Sequence, residues 1–127
     1  MNKSLRWIDT HIHVSDIAPD GTLHERMLDD LLAVLGGCDA DLRFVVSVDG
    51  PYFSRMVADP SGVLESSRFI HELVKRAPGR LFGACTPNPH FLAESLDTMK
   101  RCFEDWGFVM LGEMLQYMMK YRMDSDE

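Results

Sequence analysis

Long apolar runs are missing from this chain. No stretch of its 127 residues approaches the roughly 20 apolar residues of a membrane span. "MNKSLRWIDT" has no apolar segment behind Lys3, which argues against a secretory signal in this stretch. Cysteine is scarce: Cys38, Cys85 and Cys102 are odd in number and show no C-x-x-C spacing. That is the usage of reduced, structural thiols in a cytoplasmic protein. Positive charge is in deficit. The net charge of −7 argues against broad binding to nucleic acid or anionic lipid, although it leaves room for a small local basic site. No glycine-rich phosphate loop follows the first apolar strand, which weakens a nucleotide-binding Rossmann reading. What the chain does have is 46% hydrophobic residues, enough for a real core and too many for disorder.

Those residues are organised as an alternation. "LRWIDTHIHV" (5–14) reads as a strand, and "GTLHERMLDDLLAVLGG" (21–37) as an amphipathic helix capped by Thr22 and ended by Gly36–Gly37. "RFVVSV" (43–48) is a β-branched run that fits a buried strand. "DGPYFSRMVADPSG" reads as a long loop, and Ser61 as the cap of a second helix over 62–77. "LFGACT" (81–86) is a third strand. A third helix over 91–106 carries a stripe of Leu92, Leu96, Met99, Phe103 and Trp106. "FVMLGEM" (108–114) is a fourth strand, "MLQYMMKYRM" a loop with adaptable apolar contacts, and Asp124 or Ser125 the cap of a further helix. The fold class is therefore α/β, a parallel (βα)3β unit. A doubly wound open sheet and a partial (β/α)8 TIM barrel both fit this pattern. The expected strand order is 1-2-3-4, with the helices outside.

Parallel α/β folds bind ligands at the carboxyl ends of their strands. This rule selects His11 and His13 after strand 1, Asp49 after strand 2, Asn88 and His90 after strand 3, and Glu113, beside Gln116, after strand 4. In "IDTHIHV", Asp9, His11 and His13 share one face of a strand, and three titratable groups on a buried strand are costly without a partner. Two imidazoles at i and i+2 aim at one point and suit zinc, manganese or iron. Asp9, one step deeper, is placed to accept a ring N–H bond or to buttress them from behind. Glu113 is a candidate ligand or general base. His90, Asn88 and Asp49 are candidates for touching substrate, with helix capping or a turn as their simpler roles. His24 and His71 fall within helices beside charged residues and read as surface histidines.

The opening "IDTHIHV", the βα units that follow it and the closing "GFVMLGEM" resemble the amidohydrolase superfamily. The style is that of its amidohydrolase 2 and TatD-like branches, which begin with a D-x-H-x-H strand. The resemblance runs from Leu5 to the end of the chain. It implies a metal-dependent hydrolase on a distorted (β/α)8 barrel, in which metal-activated water attacks a carbonyl or phosphoryl centre. It further implies that His11 and His13 are strand-1 ligands and that Glu113 is the strand-4 carboxylate ligand. No lysine stands at strand 4, where other members carry a carboxylated one; Lys120 is too far along. The histidines that members supply after strands 5 and 6, and the aspartate after strand 8, have no counterpart in these residues. The expectation is thus the N-terminal half of such a barrel, residues 1–127. It would work on a small-molecule substrate with a divalent metal, zinc first, and would be completed by a second copy or by a C-terminal half. A non-oxidative decarboxylase on the same scaffold is one alternative, and a non-catalytic binding or assembly module is another.

Overall fold

A computed structural model describes residues 6–13, 16–17, 23–24, 26–37, 40–48 and 50–124. Its frame is a curled four-stranded sheet built from β1 (Arg6–Ile12), β4 (Asp41–Val46), β5 (Leu81–Cys85) and β6 (Met110–Leu111). Every pairing in it is parallel, and the spatial order β1-β4-β5-β6 follows the chain. This is the order the βα alternation predicts. It requires a crossover between each pair of neighbours, and the helices supply it: α1 (Arg26–Gly36), the pair α2 (Gly50–Ala58) and α3 (Pro60–Val74), then α4 (Leu92–Lys100) running into a π-helical turn over Arg101–Asp105. Among the described residues no helix is long and apolar enough to cross a membrane.

Two clusters form the core. The first lies between the sheet and the helices and contains Val46, Ile70, Leu73, Leu81, Cys85, Cys102 and Phe108. Cys85 and Cys102 are free thiols within it. Contact with Cys102 and burial push the Cys85 thiol upward, so it stays protonated. Cys38 lies outside the described residues. The second cluster joins Val48, Phe53, Met56 and Val63 to Met119 of a short helix, α5 (Gln116–Met119). It sits at the carboxyl end of the sheet and supports the site described below.

Several elements depart from the sequence reading. The stretch read as a loop is α2, because Phe53, Met56 and Val57 repeat at i, i+3 and i+4 and bury one face. Its Gly50–Pro51 start looks like a turn, yet proline is tolerated in a helix's first turn. The cap of α3 is Asp59, not Ser61: Asp59 Oδ1 accepts the Ser61 N–H at 2.8 Å and its hydroxyl at 2.7 Å, with Pro60 as the first helical residue. The first helix starts at Arg26, because Leu23–His24 (β3) pair with Asp16–Ile17 (β2) in a small antiparallel ladder. His24 is therefore a strand residue. Strand β1 is exposed rather than buried, with Trp7 and Ile8 each more than 60% accessible at the open edge of the sheet.

The stripe predicted to bury this helix is split: Leu92, Leu96 and Phe103 are exposed, Met99 and Trp106 pack partly buried against the first core cluster, and Ser95, Thr98 and Cys102 are buried. Small polar side chains let α4 sit close to its neighbours, and Ser95 Oγ is spent on the Asn88 backbone, accepting its N–H at 3.0 Å and donating to its carbonyl at 2.8 Å. His71 is also not a plain surface residue. Its ring stacks on Trp106, with centroids 4.8 Å apart and planes at 14°. Burial first, and Lys75 second, hold its pKa below the ordinary 6.5, against the opposing pull of Glu72. The unfolded chain therefore binds this proton at a higher pH than the folded one does. Stability contributed by neutral His71 is complete above about pH 6.5 and declines as pH falls toward the lower folded value. Replacing His71 by Gln is expected to shrink the drop in unfolding midpoint between about pH 7.5 and pH 5.5. Equal drops in the two proteins, followed by circular dichroism, would reject this assignment.

Candidate metal centre

The site is assembled at the carboxyl ends of the first and last strands of the sheet. On β1 the register slips: Asp9 pairs with Phe44 and Ile12 with Val46, so one extra residue is accommodated between them. Such a bulge removes a backbone N–H from the ladder. Here the His11 N–H donates to Asp9 Oδ1 at 3.0 Å. Asp9 thus acts on the main chain under His11, not on an imidazole N–H. Beyond the bulge the Ile12 carbonyl returns to the sheet, accepting from Ser47 N at 3.0 Å. His11 and His13 are left projecting together.

Glu113 is placed from the other side. Gly112 donates its N–H to the Cys85 carbonyl at 2.8 Å, and its own carbonyl accepts from Thr86 Oγ1 at 3.0 Å. Its φ of +138° is a conformation that side-chain-bearing residues rarely adopt. The end of β5 therefore holds the backbone from which Glu113 departs.

These two arrangements bring three donor atoms together. His11 Nε2 and His13 Nε2 are 3.0 Å apart; Glu113 Oε2 is 3.0 Å from His11 Nε2 and 3.8 Å from His13 Nε2. Donors each about 2.0–2.1 Å from a tetrahedral zinc ion lie roughly 3.3 Å from one another. The observed separations bracket that value, so the three residues fit one ion. The two imidazoles are about 40% exposed and Glu113 less so, which leaves one side of the cluster open to solvent. A closed structural site would have no such opening.

Beside the cluster lies a wide groove of about 680 Å³. His13 and Glu113 belong to its wall. Buried Val48 and Phe53, together with Leu115, form its floor, and exposed Tyr117 and Met118 of α5 its rim; Gly50 and Ser54 at the start of α2 complete it. Five of these residues, Gly50, Phe53, Ser54, Tyr117 and Met118, come from α2 and α5, two helices that the sequence pattern presents as loops.

The remaining candidates lie elsewhere. Asn88 is fully buried and acts as a clasp: Nδ2 donates to the Met56 carbonyl at 2.9 Å, and Oδ1 accepts the His90 N–H at 3.0 Å, capping the 3-10 turn Pro89–Phe91. His90 Nε2 lies 2.8 Å from the Met119 carbonyl. A carbonyl only accepts, so this nitrogen carries the proton and anchors α5, whose Tyr117 and Met118 rim the groove. Neither residue lines the groove, so both support it from below instead of facing it. Asp49 lies outside the described residues. Val48, Phe53, Leu115, Tyr117 and Met118 carry no sequence motif that marks them as site residues; the helical spacing hidden in "PYFSRMVA" is the signal that points to Phe53. Compared with family models, curated proteins and solved structures, the chain matches none.

Proposed function

We propose that this chain carries the strand-1 and strand-4 part of the metal centre of an amidohydrolase-like, metal-dependent hydrolase, on the N-terminal portion of a (β/α)8 barrel. The observation that carries the reading is the convergence of His11 Nε2, His13 Nε2 and Glu113 Oε2 within 3.0–3.8 Å, from the two outermost strands of the parallel sheet. The open edges of that sheet, with Trp7 and Ile8 on one side and Leu111 on the other, are those a continuing barrel would cover.

A divalent ion bound there supplies a Lewis acid that polarises a substrate oxygen and lowers the pKa of water. Imidazole and carboxylate donors suit zinc, with manganese and iron also compatible. The chain's own residues have definite tasks. His11 and His13 present neutral Nε2 lone pairs, which requires the ring proton to sit on Nδ1 in both. Asp9 holds the His11 main chain so that its ring keeps this aim. Glu113 supplies the negative charge of the set and a carboxylate oxygen able to take up a proton. The apolar floor of Val48, Phe53 and Leu115 keeps one flank of the site dry.

Calorimetric titration of the chain with zinc tests the proposal. One ion per chain is expected, released by EDTA, with lower affinity than a closed four-ligand site. No saturable heat of binding would overturn it.

A further inference from the structure

A second pocket lies between α2 and α3, apart from the metal cluster. Its volume is about 440 Å³, within the few hundred to about 1,000 Å³ of small-molecule sites. Tyr52 and Arg55 of α2 line it together with Glu65, Arg68, Phe69 and Glu72 of α3, and none of these six lines the groove beside the metal cluster. Only Asp59 separates the two helices, and α3 doubles back along α2. Gly62 sits against the Arg55 and Met56 backbone, Arg55 Nη1 lies 3.4 Å from Glu65 Oε2, and the Tyr52 and Phe69 rings stack with centroids 4.2 Å apart and planes at 9°. Tyr52 also packs against the second core cluster and Phe69 against the first, so the aromatic pair is anchored from below. Rings held on two packed helices form a preorganised apolar platform.

Charge singles out one side chain of this pocket. Arg55 is engaged twice, by the Glu65 carboxylate and by the Tyr52 ring, whose centroid is 5.6 Å from its guanidinium carbon. Glu72 accepts from Lys75 Nζ at 2.8 Å. Arg68 is exposed at the pocket wall and has no ion pair or hydrogen bond among the described residues. Arg55 and Lys75 therefore balance the two carboxylates, and one positive charge remains, on a planar guanidinium whose fork matches a carboxylate. We infer that this pocket binds a small aromatic monoanion such as an aryl carboxylate, with its ring against the Tyr52–Phe69 pair and its carboxylate on Arg68. The ring gains apolar contact and stacking, and the anion gains a charge-assisted pair. A second negative charge would face Glu65 and Glu72. The site is independent of the function proposed above, since no donor of the metal cluster takes part in it.

The test is NMR of the full chain with EDTA present, so that no metal ion holds the carboxylate. Benzoate is compared with benzamide, which keeps the ring without the charge, and with acetate, which keeps the charge without the ring. Benzoate is expected to shift the Tyr52 and Phe69 ring signals and the Arg68 Nε–H saturably. Benzamide and acetate should each require at least about threefold more ligand for the same shift. Arg68 is exposed, so Arg68→Gln leaves the core intact; it should weaken benzoate about three- to tenfold and leave benzamide unchanged. Benzamide or acetate acting at the same concentration as benzoate overturns the assignment. So does benzoate binding that Arg68→Gln does not weaken, or benzoate shifts confined to Phe53 and Tyr117 of the groove.

Discussion

Replacing His11 and His13 together by alanine is expected to abolish zinc binding, with a loss in affinity of at least about a hundredfold. Even removing an outer-shell partner of a metal ligand costs about 10- to 100-fold, and here two of three donors disappear. Glu113 alone would offer a single carboxylate, which holds zinc no better than many surface acids do. Glu113→Gln should weaken binding less than the double variant, because both imidazoles remain within 3.0 Å of each other. His71→Ala should leave the titration unchanged, since that ring stacks on Trp106 and is not a member of the cluster. The imidazoles are about 40% exposed, so their removal is not expected to unfold the chain. Equal zinc binding by the wild type and the double variant would end the assignment of "THIHV" as a metal site.

The largest effect on stability is expected at Gly62. A Cβ there would stand 2.5 Å from the Arg55 carbonyl carbon and oxygen and 2.6 Å from Met56 N. These are backbone atoms of α2 and cannot rotate away. Gly62→Ala must therefore push α2 and α3 apart, and α2 carries Phe53 and Met56 into the second core cluster and the floor of the groove. Overpacking of this kind costs about 3 kcal/mol, offset by about 1 kcal/mol of better helix propensity for alanine. A net loss of about 2 kcal/mol would lower the unfolding midpoint by roughly 6–10 °C. Gly36 is the matched control: it ends α1 with nothing within 4 Å of its Cβ position, so Gly36→Ala should leave the midpoint within a degree or two. Thermal unfolding followed by circular dichroism measures both, and a Gly62→Ala protein as stable as wild type would contradict the close crossing of the two helices.

The parallel frame and the donor residues are legible in the sequence. Short β-branched runs separated by amphipathic stretches demand parallel strands in chain order, because each connection is long enough to cross over and too long for a hairpin. The i, i+2 histidines and the strand-end glutamate were also visible, since the rule that ligands gather at carboxyl ends of parallel strands needs only the strand positions. The composition alone argued for a folded core, through its share of apolar residues.

Other features depend on contacts that no local pattern reports. Glycine and proline signal a turn equally well at a helix start, so "DGPYF" reads as a loop until Phe53 and Met56 have a core to enter. On α4, the apolar stripe satisfies every helical rule, yet only Met99 and Trp106 of it reach the core while Leu92, Leu96 and Phe103 face outward, because Ser95 and Thr98 fit a close approach that Leu92 and Leu96 would not. Asn88 and His90 sit where substrate contacts belong, yet their hydrogen-bonding capacity is taken by Met56, the turn beside them and Met119. Local periodicity and residue chemistry determined the parallel frame and nominated the donors. Only the tertiary structure brought His11, His13 and Glu113 within reach of one ion and floored the groove beside them, because that placement depends on a bulge after Asp9, the hold of Cys85 and Thr86 on Gly112, and the packing of α2 on α3.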